Sequence, residues 1–330
     1  MLGDPSAVTD WEPVLAFANN TLLTPAIWSS MLERRQQDML PQDVASFLGY
    51  IHHCNVERNR RLRMQLEELV GAMNASGIVP TLTKGAALLV CEKAERPTSR
   101  IMRDLDITVA DEERQIAERC LLQLGYAPIE ALGWGRSKDV GAVDLHFPPG
   151  RYPQYWPSPS LAERHRREVE VGRGRACVLS ATLQAQHWIV HDMLKDGHLW
   201  NLHIDLRNLF ELYRLSTGDS AIDWSELRIL LSDPLGRAML TAQRLALASV
   251  FAIDLGEDAT IPAWLKLHHT LRRNEYHPQL GYVVRSAGSV AWTMRTAQIQ
   301  WRFRGPWREL PARFIRKGQK VLATGRSKEI

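Results

Sequence analysis

Cysteine is scarce in this chain of 330 residues: Cys54, Cys91, Cys120 and Cys177 stand far apart and form no CxxC pair. That spacing excludes a disulfide framework and a cysteine-ligated zinc site, and it reads as reduced thiols in a cytoplasmic protein. Long apolar runs are missing too. None approaches the roughly 18–20 residues that span a bilayer. The opening MLGDPSAVTDW has neither a basic start nor an apolar stretch, so no secretory signal is read there. Internal repeats and low-complexity segments are also lacking. What remains is ordinary for a globular chain, with 45% hydrophobic and 24% charged residues and a length that suits about two domains.

Acidic residues are nearly absent from one end. From Met294 to Ile330 there are ten Lys/Arg against Glu309 and Glu329, a net of +8 that leaves −4 for the rest of a chain of net +4. Trp301, Phe303, Trp307 and Phe314 interleave with these charges. Such a tail suits nucleic acid, an anionic membrane surface or an acidic partner. Packing of its aromatics against the protein body is the plainer expectation.

Apolar periodicity divides the chain into three parts: a helical arm over 1–76, a mixed α/β core over 77–178 and a helical region over 179–330. Phe47, Ile51, Leu62, Leu66, Leu69 and Val70 predict a long helix over about 42–76, which Gly77 ends. A short strand follows over 78–84, then a helix over 85–93 and a strand over 101–110. Asp111 is expected to cap a helix that closes at Gly125, and strands are expected around 134–140 and 141–147. The stretch FPPGRYPQYWPSPS, with five prolines, reads as a connector or flap. The fold class expected is therefore α+β.

The stretch RIMRDLDITV carries Asp104 and Asp106 one residue apart in an apolar strand. Alternation puts both carboxylates on one face and Leu105, Ile107 and Val109 on the other. Like charges so close repel unless a cation sits between them, and relief of that repulsion predicts a higher metal-free melting temperature for Asp104→Asn and Asp106→Asn. Asp144 in AVDLHF supplies a third strand carboxylate. Three such groups can hold two Mg²⁺ ions around a triphosphate. Lys84 and Gly85 fall where a strand passes into a helix, a place that favours phosphate, and Arg100 adds a second cation.

These residues resemble the uncharacterised nucleotidyltransferase family of the polymerase-beta-like superfamily. Its pattern is matched by Lys84, Gly85 and Leu88, then Arg100, Asp104, Asp106 and Val109, then Asp144 with His146. The resemblance covers roughly residues 45–215, with its core at 78–147. It implies transfer of a nucleoside monophosphate from an NTP such as ATP, dependent on Mg²⁺ or Mn²⁺, to an acceptor that is a protein, peptide, RNA, sugar or small molecule. Asp104 and Asp106 would bind both metals, and Asp144 would bind the catalytic one and help deprotonate the acceptor. Many members of the superfamily carry Gly-Ser where this chain has Lys84, Gly85 and Ala86, so Lys84 would replace the serine hydroxyl as a point charge.

Weaker signals are set lower. His187 and His191 have HxxxH spacing but lack the glutamate that a zinc protease uses as base, so packed or surface histidines are expected. His198, His203 and Asp205 are candidates to line a cleft. The run from Arg272 to His277 matches a loose R-x4-6-H ribonuclease pattern that arises easily by chance. A different class of reading keeps the fold, makes the carboxylates inert and gives RNA or protein binding to the basic tail.

Overall fold

A computed structural model describes residues 10–91, 99–129, 133–148, 152–218, 221–253, 261–277 and 279–304, with side chains through Arg295 in the last segment. The tail from 305 onward, including Trp307 and Phe314, lies outside these residues.

In chain order the helices are α1 (Trp11–Asn20), α2 (Thr24–Glu33), α3 (Gln42–Ala75), α4 (Lys84–Cys91), α5 (Arg114–Gln123), α6 (Pro159–His165), α7 (Ala181–Val190), α8 (Leu206–Thr217), α9 (Trp224–Leu230), α10 (Pro234–Phe251), α11 (Ala263–Asn274) and α12 (Gly281–Arg304). The strands are β1 (Thr81–Leu82), β2 (Asp104–Thr108), β3 (Ala127–Ile129), β4 (Gly133–Gly135), β5 (Ala142–His146), β6 (Arg166–Val171) and β7 (Gly174–Leu179). They form one mixed sheet in the order β3-β4-β5-β2-β1-β7-β6. The fold is α+β, with helices at the N-terminus and over the C-terminal region.

Contacts divide the chain into two units, Met1–His191 with Asp205–Gly256, and Asp192–Ile204 with Glu257–Ile330. The sheet and α1–α10 belong to the first, α11 and α12 to the second.

The core of the first unit lies on one face of the sheet. Leu62, Leu66, Leu69, Val70 and Met73 of α3 meet Leu105 and Ile107 of β2, Val143 of β5 and Leu121 of α5, all essentially solvent-free. Burying each such leucine or isoleucine stabilises the unit by roughly 1.5–3 kcal/mol. Because side chains alternate, the opposite face receives Asp104, Asp106 and Thr108 from β2, and Asp144 and His146 from β5.

Local chemistry explains the element ends. Gly77 and Gly125 have φ of +84°, the left-handed geometry that stops α3 and α5. Asp111 is not the cap expected of it. It begins a short 3₁₀ turn whose box closes between the Ala110 amide and the Glu113 carboxylate, while its own carboxylate takes the Arg114 guanidinium. The β6–β7 hairpin has a polar, exposed β6, a pattern that apolar periodicity does not mark as strand.

Candidate active site

β2 and β5 run parallel, in a register that sets Asp106 opposite Asp144, Asp104 opposite Ala142 and Thr108 opposite His146. Asp106 and Asp144 are thus direct neighbours across the ladder. One ligand atom from each of Asp106, Asp144 and His146 falls within 4.8 Å of the others. Asp104 shares their face but lies two pairs along the ladder, and is not in that group.

Asp106 is the buried member, with its side chain 5% exposed against 33% for Asp144. Lys84 Nζ reaches its Oδ1 at 2.5 Å and His146 Nε2 reaches the same oxygen at 2.9 Å. A carboxylate only accepts, so Nε2 carries the proton it donates there. The same nitrogen lies 3.4 Å from Asp144 Oδ2, so His146 bridges the two carboxylates. Burial pushes the Asp106 carboxyl up, but the His146 hydrogen bond and the Lys84 charge outweigh it and hold the group well below the usual carboxylate range.

Lys84 is delivered by a strained backbone. Its φ of +47° is left-handed, uncommon for a residue with a Cβ, and it lies where β1 gives way to α4. The Thr83 carbonyl accepts from the amides of Ala86 and Ala87, and its amide donates to the Asp106 carbonyl, so the turn is stitched to β2. Gly85 packs closely: a Cβ there would come within 2.6 Å of the Met102 sulfur, so that side chain would have to move.

Arg100 is built in rather than open. Its Nη2 donates to Asn208 Oδ1 at 3.0 Å, its Nη1 lies 3.8 Å from Glu211, and its guanidinium stacks 4.4 Å above the Trp188 ring. Burial lowers its pKa to about 10, with Glu211 opposing. It remains in electrostatic reach of Asp106, to which it contributes field rather than a contact.

Sequence reading missed the device that holds the strands in place. Polar side chains of α3 grip the carbonyls of the loops entering β2 and β5. Asn55 and Asn59 donate to the Arg100 carbonyl, Arg58 to Met102 and Gln65 to Gly141. The signal available was Asn at i and i+4 on the apolar side of a helix, which a solvated face does not need.

The weaker candidates separate. His187 and His191 stack 6.2 Å apart, and His187 meets the Trp156 ring edge at 6.4 Å; neither belongs to a metal-ligand group among the described residues. Burial lowers the His187 pKa to about 3, helped by the nearby Lys84 charge, although the residue as a whole keeps partial exposure. Asp205 caps α8 through the Asn208 amide. In the second unit, His203 Nδ1 pairs with Glu275, His198 Nδ1 with Asp192, and the buried Arg272 donates to the His203 carbonyl. Arg272 of the ribonuclease-like pattern is therefore a packing residue.

The donor set suits a divalent cation. The two carboxylates are the oxygen ligands that suit Mg²⁺ or Mn²⁺, whereas the imidazole beside them is a ligand type more usual for Zn²⁺ or Fe²⁺. Beside them the buried Thr108 hydroxyl, opposite His146, has no hydrogen-bond partner. A strand-borne carboxylate pair backed by a lysine at a strand-to-helix turn is compatible with a divalent cation and an anionic ligand. The family model described as "uncharacterised nucleotidyltransferase" matches residues 7–246, and the chain belongs to that family. Nothing among curated proteins or solved structures matches it.

Proposed function

We propose that the protein transfers a nucleoside monophosphate from an NTP, with ATP as the representative donor, to an acceptor hydroxyl or phosphate, in a reaction dependent on Mg²⁺ or Mn²⁺. The observation that carries this reading is the convergence of Asp106, Asp144 and His146 on the polar face of β2 and β5. Asp106 and Asp144 would hold the cation, with His146 joining them only once its Nε2 has given up the proton it donates to Asp106, and with Asp104, two pairs along the ladder, able to extend the site. When bound, such an ion supplies Lewis-acid neutralisation of phosphate charge and lowers the pKa of a coordinated hydroxyl.

The chain's own residues fit the remaining roles. Lys84 has three donors on a flexible stem and can turn from Asp106 to a phosphate oxygen. Asp144, the more exposed carboxylate, would take the acceptor proton as the acceptor oxygen bonds to the α-phosphorus and pyrophosphate leaves. Arg100 supplies positive field from beneath. Asn55, Asn59 and Gln65 fix the loops from which β2 and β5 start, so the carboxylates are pre-organised. The four free cysteines suit a reducing cytoplasm, where we place the protein.

Pyrophosphate release tests this directly. Incubation with each NTP, Mg²⁺ or Mn²⁺ and pooled acceptors of the protein, RNA, sugar and small-molecule classes should release pyrophosphate. Asp144→Asn should remove the release without lowering the melting temperature. Absence of release with every donor and both ions would count against transfer and favour an inert binding fold.

A further inference from the structure

The second unit exposes apolar side chains and belongs to a part of the sequence rich in basic residues. Residues 261–330 carry fourteen Lys/Arg against three Glu, a net of +11, so the rest of the chain is −7. Within the described part, Trp264 and Leu267 of α11 and Tyr282, Val283, Val290 and Met294 of α12 are each more than half exposed. Lys266, Arg273 and Arg285 are exposed on other faces of the same two helices.

α12 has two apolar faces. One packs inward: Val284 is buried, a Cβ on Gly288 would strike the Asn201 carbonyl, Trp292 covers Gly197, and Arg295 lies 5.3 Å over the Trp200 ring. The other holds Val283, Val290 and Met294, spaced i, i+7 and i+11 along one stripe, a spacing that Trp301 continues in the sequence. A helix whose inward face is already satisfied has no folding reason for a second apolar stripe.

We propose that α11 and α12 dock on an anionic lipid bilayer, their exposed apolar side chains entering the headgroup boundary and their Lys and Arg facing acidic headgroups. Charge complementarity selects an anionic partner, and side-chain type selects lipid over nucleic acid. Valine, leucine and methionine gain by entering acyl chains and offer nothing to a base, while Trp264 and Tyr282, the exposed rings beside them, suit the headgroup boundary as well. Among the described residues no helix is long and apolar enough to cross a membrane, so contact is peripheral.

The test uses the full chain, vesicles of phosphatidylcholine alone or with 30% phosphatidylglycerol, and co-sedimentation in about 0.1 M salt. Binding is expected to the anionic vesicles only, and Val290→Glu with Met294→Glu should weaken it tenfold or more at unchanged melting temperature. Trp264 fluorescence cannot be isolated among eleven tryptophans, so binding is read from the pellet. No binding to the anionic vesicles overturns the proposal. So does binding that the double variant leaves intact, which assigns it to charge alone. Loss of a dimer in the double variant, with no vesicle binding by wild type, likewise overturns it and makes the stripe a contact between copies.

Discussion

Lys84 and Asp106, 22 residues apart in sequence, meet Nζ to Oδ1 at 2.5 Å with side chains only 10% and 5% exposed. Together with His146 at 2.9 Å, the ammonium occupies the oxygen that a divalent cation would claim. Two N–H donors therefore stand in for the ion. Cation binding and the Lys84 pair compete, and in the proposed reaction the triphosphate resolves the competition by giving Lys84 other oxygens.

That competition has a sign. Lys84→Ala should bind Mn²⁺ about tenfold more tightly than wild type without nucleotide, while binding ATP more weakly. Its metal-free stability should fall by about 3–5 kcal/mol, the usual cost of breaking a buried ion pair. Lys84→Gly should recover up to about 1 kcal/mol of that loss, because glycine accepts the +47° φ without strain. Calorimetric titration with Mn²⁺ that found unchanged or weaker affinity in Lys84→Ala would remove the competition from the account.

Asp106→Asn reverses an expectation drawn from the sequence. Repulsion between Asp104 and Asp106 predicts a gain in metal-free stability, but Asp106 is already neutralised by Lys84 and His146. Its loss strands a buried ammonium, so urea titration should show a drop of about 2–4 kcal/mol. Asp104→Asn should change stability less.

His187 leads a group of histidines that set the pH dependence, since burial also lowers His269, to about 4, and holds His52 and His268 below the ordinary value. The folded pKa of His187, about 3, lies below the ordinary 6.5, so the unfolded chain binds the extra proton between those values and stability falls as pH drops through that window. For one such group the loss from pH 7 to pH 5 is roughly 1–2 kcal/mol. Asp106 behaves differently: its depressed folded value keeps its contribution intact above the ordinary carboxylate pKa, and it is lost only at stronger acid. His187→Phe should hold stability at pH 7 and flatten the fall toward pH 5. An unchanged slope would show that His187 protonates freely in the folded protein.

Asn59 tests the helix clamp. Its amide holds the Arg100 carbonyl at 3.0 Å inside the core, so Asn59→Ala should cost about 1–3 kcal/mol by leaving that carbonyl under-satisfied. Turnover should fall with it, since the same loop leads into β2. Full activity at reduced stability would restrict the clamp to folding.

Much of the framework is legible in the sequence because its signals are local. Leu62, Leu66 and Leu69 mark α3, glycines 77 and 125 mark helix ends, and the alternation around Asp106 and Asp144 gives two strands with their polar face. The rest depends on what the chain brings together from afar. Arg100 looks like a free cation until Asn208 and Glu211, more than 100 residues later, close on it. Asn55, Asn59 and Gln65 interrupt the apolar side of α3 with no local partner, and only the distant loop carbonyls that they hold explain them. The left-handed turn at Lys84 has no glycine to announce it.

The most direct measurement is equilibrium binding of ATP by wild type and Asp144→Asn, with Mg²⁺ present and with it chelated. Asp144 is a third exposed, and among the described residues its ion pair is a 3.4 Å contact with His146, so the variant should keep the wild-type melting temperature. The account predicts wild-type binding that weakens at least tenfold on chelation, and a variant that binds weakly whether or not Mg²⁺ is present. Tight ATP binding by both proteins, indifferent to Mg²⁺, would contradict it.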